Sequence, residues 1–331
     1  MAQQTTGGAR RGAASADIPE QALRSMLLAM SRRRSLGRLA TSVPVTRPMV
    51  GRFVAGQDLP QALDAVAALR ERGFATTLDV LGESVASESA AREAGARYLQ
   101  TLDALVARGL DRNVSLKLTQ MGLDVSQAVC EDVVGTILRR AEEIGAFVRI
   151  DMEDHAKTSA TLEVLRHLRP LHPDTGVVIQ AALRRSTADI EALIAEACPV
   201  RLCKGAYKEP DSVAFASKAE VDESYARLME RLLLEGTRPA LATHDERLVK
   251  RAVEIVKANG VPRDRFEFQM LYGVRRDLQE RLLGAGYRVR VYVPYGAEWY
   301  PYFMRRLAER PANVAFLLRS LAREQGAAKG K

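Results

Sequence analysis

The stretch YRVRVYVPYGAEWYPYFMRRL, residues 287–307, reads as a strand that runs into a helix. Val289, Val291 and Val293 alternate with Arg288, Arg290 and Tyr292 at the period of two that a strand requires. Pro294-Tyr295-Gly296 breaks the run, and Trp299 to Leu307 continue at helical spacing. The same unit recurs upstream. Short apolar or β-branched runs stand at ATTLDVLG (75–82), NVSLKLTQ (113–120), FVRIDME (147–153) and TGVVIQAA (175–182). PVRLCKGA (199–206), RPALATHD (238–245) and RFEFQMLYG (265–273) extend the series, with YRVRVYVP (287–294) as its eighth member. Helical patterns near 86–109, 125–144, 156–169, 186–196, 222–235, 246–259, 274–284 and 297–309 separate them. Eight strand-then-helix units predict an α/β fold of the closed, parallel (β/α)8 (TIM-like) kind. No GxGxxG follows the first strand and no GxxxxGK[ST] occurs, which argues against a dinucleotide-binding open sheet and excludes a P-loop.

Working outward, residues 1–17 and 312–331 are expected to include disordered tails. Residues 18–73 are expected to form a helical arm, and 74–311 the barrel. Within the arm, Leu23, Met26, Leu27 and Met30 keep i, i+3, i+4, i+7 spacing behind Pro19. Met49–Val54 and Leu63–Leu69 suggest two more helices, the last ended at Gly73. The formal charge of +8 is concentrated near the start. Residues 1–55 hold nine arginines against Asp17 and Glu20, so 9 − 2 = +7 sits there. Such an arm could meet an anionic membrane surface or nucleic acid, or simply be solvated. Cys130, Cys198 and Cys203 lack disulfide or zinc spacing, so a reducing cytoplasmic setting is expected.

In a barrel of this type chemistry collects at the carboxyl ends of the strands. Those ends carry Glu83, Lys117, Asp151 with Glu153, Asp154 and His155, then Gln180, Arg201, Lys204, Tyr207, Thr243, His244, Asp245, Gln269 and Tyr292. Tyr302 and the pair Arg305-Arg306 follow on the last helix, where two planar forks suit a carboxylate or phosphate. Asp151, Glu153, Asp154, His155 and His244 could hold a divalent metal, but that leaves the many cations unexplained, so no metal is expected. Lys117 or Lys204 could form a Schiff base, as in an aldolase-type lyase. The cationic bowl fits a phosphate-bearing cofactor and a carboxylate substrate better, because an amine nucleophile needs a lowered pKa.

RLCKGAY (201–207), ATHDERL (242–248), FEFQMLYG (266–273), DVLGE (79–83) and YVPYG…YPYFMRRL (292–307) closely resemble the proline dehydrogenases, over roughly residues 75–310. The N-terminal helices resemble those of the short monofunctional bacterial members, so no aldehyde dehydrogenase domain is expected. The resemblance implies a noncovalent FAD contacted by Met152, Gln180, Arg201, Lys204-Gly205-Ala206, Thr243, His244 and Gln269. It implies Lys117, Arg305 and Arg306 on the carboxylate of L-proline, Glu83 paired with Arg305, and Tyr292 and Tyr302 on the ring. Asp151 and Arg201 take the catalytic places, Arg201 near the flavin N5. The implied reaction is hydride transfer from proline C5 to N5, giving Δ1-pyrroline-5-carboxylate, the first step of proline catabolism to glutamate. A quinone would reoxidise the flavin, and a separate glutamate semialdehyde dehydrogenase would take the product. The arm's implied second use is a membrane-surface contact, with no role for nucleic acid.

Overall fold

The computed structural model describes residues 47–308. The readings made for 1–17, for the Leu23–Met30 helix and for 312–331 lie outside the described residues. Residues 46–299 form one compact unit, and those from Tyr300 onward belong to another. Helices α1 (Arg47–Phe53) and α2 (Leu59–Glu71) precede β1 (Ala75–Val80), α3 (Glu88–Ala107), β2 (Asn113–Lys117) and α4 (Gln127–Glu143). Next come β3 (Phe147–Asp151), α5 (His155–Leu168), β4 (Thr175–Gln180), α6 (Ser186–Ala195), β5 (Pro199–Cys203) and α7 (Lys218–Glu235). The chain continues through β6 (Thr237–Ala242), α8 (Glu246–Ala258), β7 (Glu267–Leu271), α9 (Arg276–Gly284), β8 (Val289–Tyr295) and α10 (Trp299–Ala308). The eight strands pair in sequence order and the barrel closes where β8 meets β1, from Ala75↔Arg290 to Val80↔Tyr295.

Local chemistry sets the helix starts. Ser87, Ser126, Asp154 and Asp245 each accept a backbone N–H from the first turn of the helix that follows, satisfying a donor that has no carbonyl partner there. α7 begins four residues before the periodicity suggested. A capping box in which Ser217 and Glu220 each accept from the other's backbone N–H nucleates it there. β8 likewise runs through Pro294 rather than stopping at it. Proline lacks a donor, but its carbonyl accepts from Ala55 N at 2.9 Å and Tyr295 O accepts from Leu81 N at 2.7 Å. β5 ends sooner than its sequence run, because Gly205 has a φ of +109°.

Alternate strand residues such as Val114, Leu116, Val148, Ile150, Leu202, Leu241, Phe268, Val291 and Val293 are fully buried and join the helices in one hydrophobic core. Each contributes about 1.5–3 kcal/mol by leaving water. The other set differs from the branched aliphatic filling common in such barrels. Arg201 on β5 bonds to Ser115 on β2, Asp151 on β3 and Gln269 on β7, while Tyr292 on β8 bonds to Asp151. None of these strand pairs is adjacent in the sheet, so the bonds cross the barrel interior. This barrel is filled with polar side chains.

Candidate active site

The mouth of the barrel is organised by Asp151, the last residue of β3. Its Oδ1 accepts from Arg201 Nη1 at 2.7 Å and its Oδ2 from the Tyr292 hydroxyl at 2.7 Å. Lys117 Nζ stands 3.8 Å from Oδ2 and donates to Asp79 Oδ1 at 3.0 Å. Arg201 also donates to Ser115 Oγ at 2.9 Å and to Gln269 Oε1, and its guanidinium lies 5.2 Å from the Tyr292 ring centroid. Gln269 passes the contact down to Glu267, which pairs with Arg290 at 2.8 Å. Opposite charges thus alternate through the barrel, which is how several buried ions coexist.

Burial works against the Lys117 ammonium, but Asp79 and Asp151 outweigh it and hold its pKa above the ordinary value. Tyr292 is pushed well above the usual phenol range by burial, then by Asp151 and Asp79, so it stays a neutral donor. Burial pushes the Cys203 thiol up to about 12, which leaves it a thiol at neutral pH.

A second group forms the rim between β3, β4, β5 and β6. Gln180 at the end of β4 donates from Nε2 to the carbonyls of Met152 (3.3 Å) and Glu153 (2.9 Å). Those two acceptors fix the amide's orientation. Gln180 Oε1 is therefore turned the other way, and it is buried without a hydrogen-bond partner. Beside it lies Gly205, where an added Cβ would come 3.4 Å from that oxygen and 3.1 Å from the Ala182 methyl. Lys204 is bracketed by Asp222 and, at 3.0 Å, Asp245. Thr243 Oγ accepts from Asp245 N at 3.1 Å, and His244 Nε2 accepts from Leu271 N at 3.0 Å. Glu153 accepts from Thr119 N and Oγ, and His155 is held by Glu209 at 2.5 Å. These contacts engage Glu153, His155 and His244 separately rather than around one point. Ala206 follows Gly205 in the β5–α7 loop, and Glu83 sits on the β1–α3 loop.

The structure therefore gathers Lys117, Asp151, Arg201, Gln269 and Tyr292 in one network, and Met152, Gln180 and Gly205 along one side of the mouth. Tyr302, Arg305 and Arg306 lie on α10, in the part of the chain that forms the other compact unit. Within that helix the Arg306 guanidinium stacks 5.2 Å from the Tyr302 ring centroid, as the i, i+4 spacing allows. Asp79, Ser115 and Glu267 are working members of the network that the sequence reading left out. Asp79 stood within the DVLGE motif, and an acid four residues into a β-branched strand was the available signal.

The family model described as "Proline dehydrogenase" matches residues 62–319. The chain belongs to the proline dehydrogenase family. It is 38% identical over 301 residues to proline dehydrogenase 2 of Bacillus subtilis (strain 168), covering 91% of this chain and 99% of that one. It is 40% identical over 308 residues to the proline dehydrogenase of Deinococcus radiodurans, covering 91% of this chain and 98% of that one. Among solved structures it resembles proline utilization A of Bdellovibrio bacteriovorus inactivated by N-propargylglycine, with a TM-score of 0.74 and 29% identity. That match covers 78% of this chain and 32% of the other. The similarity to the short family members runs nearly end to end.

Proposed function

We propose that the chain oxidises L-proline to Δ1-pyrroline-5-carboxylate with FAD as its cofactor and a quinone as the final acceptor. The observation that carries this reading is the bond set at Asp151, which fixes Arg201 and Tyr292 from one carboxylate. The rim fits a flavin. Gln180 Oε1 is a buried acceptor suited to an imide N–H, and Gly205 keeps its surroundings open to a flat ring. Arg201, Lys204, the Gly205-Ala206 backbone, Met152, Thr243, His244 and Gln269 complete the residues that would hold it. FAD, when bound, supplies a two-electron acceptor for the hydride that leaves proline C5.

The protein's own part is binding, orientation and charge. Oxidation removes a hydride from C5 and a proton from nitrogen, leaving a C=N bond. Holding the substrate carboxylate fixes C5, and orientation of that kind contributes up to ~7–11 kcal/mol in ideal cases. Lys117, kept charged by Asp79, and the Arg305-Arg306 forks are the groups for that carboxylate, with Glu83 as the partner of Arg305. Tyr292 and Tyr302 would bound the ring. Arg201 contributes a positive charge that costs no reorganisation, because three side chains already hold it in place. A lysine nucleophile, by contrast, must lose its proton at neutral pH. Lys117 is held charged and Lys204 is clasped between two aspartates, which speaks against the Schiff-base lyase.

The direct test is turnover with proline and a soluble quinone, with the cyclic imine trapped and quantified. One imine per quinone reduced is expected, and proline-independent quinone reduction would sink the reading. Substituting Arg306→Ala should raise the KM for proline by roughly 10–100-fold, the loss of one charged hydrogen-bonding partner, with flavin content unchanged. An unaltered KM with lost flavin would move Arg306 to the cofactor. Among the described residues no helix is long and apolar enough to cross a membrane. A membrane-borne quinone would be met at the surface by the basic arm, whose nine arginines within residues 1–55 suit an anionic headgroup layer. The imine hydrolyses to a semialdehyde, which a separate cytoplasmic dehydrogenase would oxidise to glutamate.

A further inference from the structure

The end of the barrel opposite the mouth holds a cation that nothing in the proposed reaction uses. Arg149, on β3, is 3% exposed. Its Nη1 donates to the carbonyls of Val177 at 3.2 Å and Pro199 at 2.6 Å, and its Nε is buried without a partner. The other barrel cations have acids: Lys117 has Asp79, Arg201 has Asp151, and Arg290 has Glu267. No carboxylate among the described residues lies within ion-pairing distance of Arg149. Arg290 has a second acid, Asp111, at 3.5 Å, so of these four cations Arg149 alone is without one.

The place of Arg149 is built rather than incidental. Gly176 faces it on β4, and an added Cβ there would lie 2.5 Å from Arg149 Nη1 and 2.6 Å from Pro199 O. The guanidinium occupies the volume a side chain would take. It stacks on Phe147 at 4.7 Å, and the Arg238 guanidinium lies 5.4 Å from the same ring centroid. Arg238 has its own acid, Asp174 at 2.6 Å, whereas Arg149 on the same ring has none.

Both arginines line a cavity of about 170 Å³ at the amino ends of the strands, with Arg265, Arg288 and Arg290 also on its wall. Its lining acids are Asp264 and Glu267, and Asp174 pairs with Arg238 at 2.6 Å and Asp111 with Arg290 at 3.5 Å, so five positive charges meet four negative ones and Arg149 is left without an acid. Glu267 is already engaged by Arg288 at 3.2 Å, by Arg290 and by Gln269. Burial pushes Arg149 down to about 9, with the charge of Arg201 adding to the effect, so at neutral pH the guanidinium remains charged. A buried, charged and acid-free guanidinium on the wall of a small basic cavity is the arrangement that recognises an oxyanion.

We infer that this basal cavity is a binding site for a compact oxyanion, a phosphate or a small carboxylate, held by Arg149 with Arg238 and Arg288. The site is separate from the one proposed for proline and does not depend on that assignment.

The experiment is thermal unfolding of the full-length protein, titrated with phosphate, sulfate or glutamate at constant ionic strength made up with chloride. Ligand that binds only the folded state raises Tm with the logarithm of its concentration. A rise with phosphate and sulfate alone identifies a tetrahedral oxyanion, and a rise with glutamate alone a carboxylate metabolite. Both would mean charge without shape selection. Arg238→Ala and Arg288→Ala, changes at exposed side chains that leave Glu267 its bond to Arg290, should each weaken the response about ten-fold or more. Arg149→Met should abolish it if that variant folds. The response should survive Arg306→Ala, which lowers anion affinity at the other arginine cluster. A response no larger than that of chloride, or one unchanged in both Arg238→Ala and Arg288→Ala, would overturn the site.

Discussion

Replacing Arg201 by methionine should lower the rate of flavin reduction by proline roughly 10²–10³-fold, the usual cost of removing one preorganised charged donor from a reaction centre. Arg201 is 5% exposed and makes three side-chain hydrogen bonds to three different strands. Methionine keeps much of the volume but none of the donors. Asp151 then loses its best partner and Gln269 Oε1 its donor. Asp151 keeps Tyr292 and, at 3.8 Å, Lys117, but breaking a buried ion pair by removing one partner costs about 3–5 kcal/mol, so Tm should also fall by roughly 5–10 °C. Stopped-flow reduction and a melt on the same preparation separate the two effects. A destabilised variant with near-normal reduction would mean that Arg201 is only structural.

The second large effect belongs to Asp79, which is 1% exposed and lies 3.0 Å from Lys117 Nζ. In Asp79→Asn the lysine keeps only Asp151, at 3.8 Å. Burial then becomes the dominant influence and the lysine pKa falls. In the native protein the folded pKa of Lys117 lies above its unfolded value, so the pair's stability is fully present below about pH 10.4 and is lost only as pH rises through the folded value. No Lys117 transition is therefore expected between pH 7 and about 10. In the variant the sign reverses: the folded state releases the proton first. The KM for proline should then rise with pH, by about ten-fold or more by pH 9, as the ammonium that meets the carboxylate is lost. A KM that stays flat with pH in Asp79→Asn would show that Lys117 does not contact the substrate.

Much of this architecture was written in the alternation of short β-branched runs with helical stretches, because strand and helix periods are local properties. The run Val289–Val293 needs only its own residues to be read as a strand. The start of α7 was missed although Ser217 and Glu220 spell out its cap, since the apolar spacing begins only at the next turn. The site was legible where residues cluster at strand ends: Lys117, Asp151, Arg201 and Tyr292 do meet. Asp79 was not legible as a partner. Which inward-facing side chains pair across a barrel depends on the stagger of eight strands, and no local spacing encodes it. The same reason hid Arg149. Its sequence neighbours give no sign that a glycine on the next strand makes room for it, or that Asp79, Asp151 and Glu267 are engaged by other cations.

The most direct measurement is the visible spectrum of the purified protein, recorded anaerobically before and after L-proline is added. The account predicts a flavin spectrum that bleaches on addition of proline and returns when a quinone is admitted. A flavin that stays oxidised in saturating proline, or a colourless protein that FAD cannot reconstitute, would contradict it.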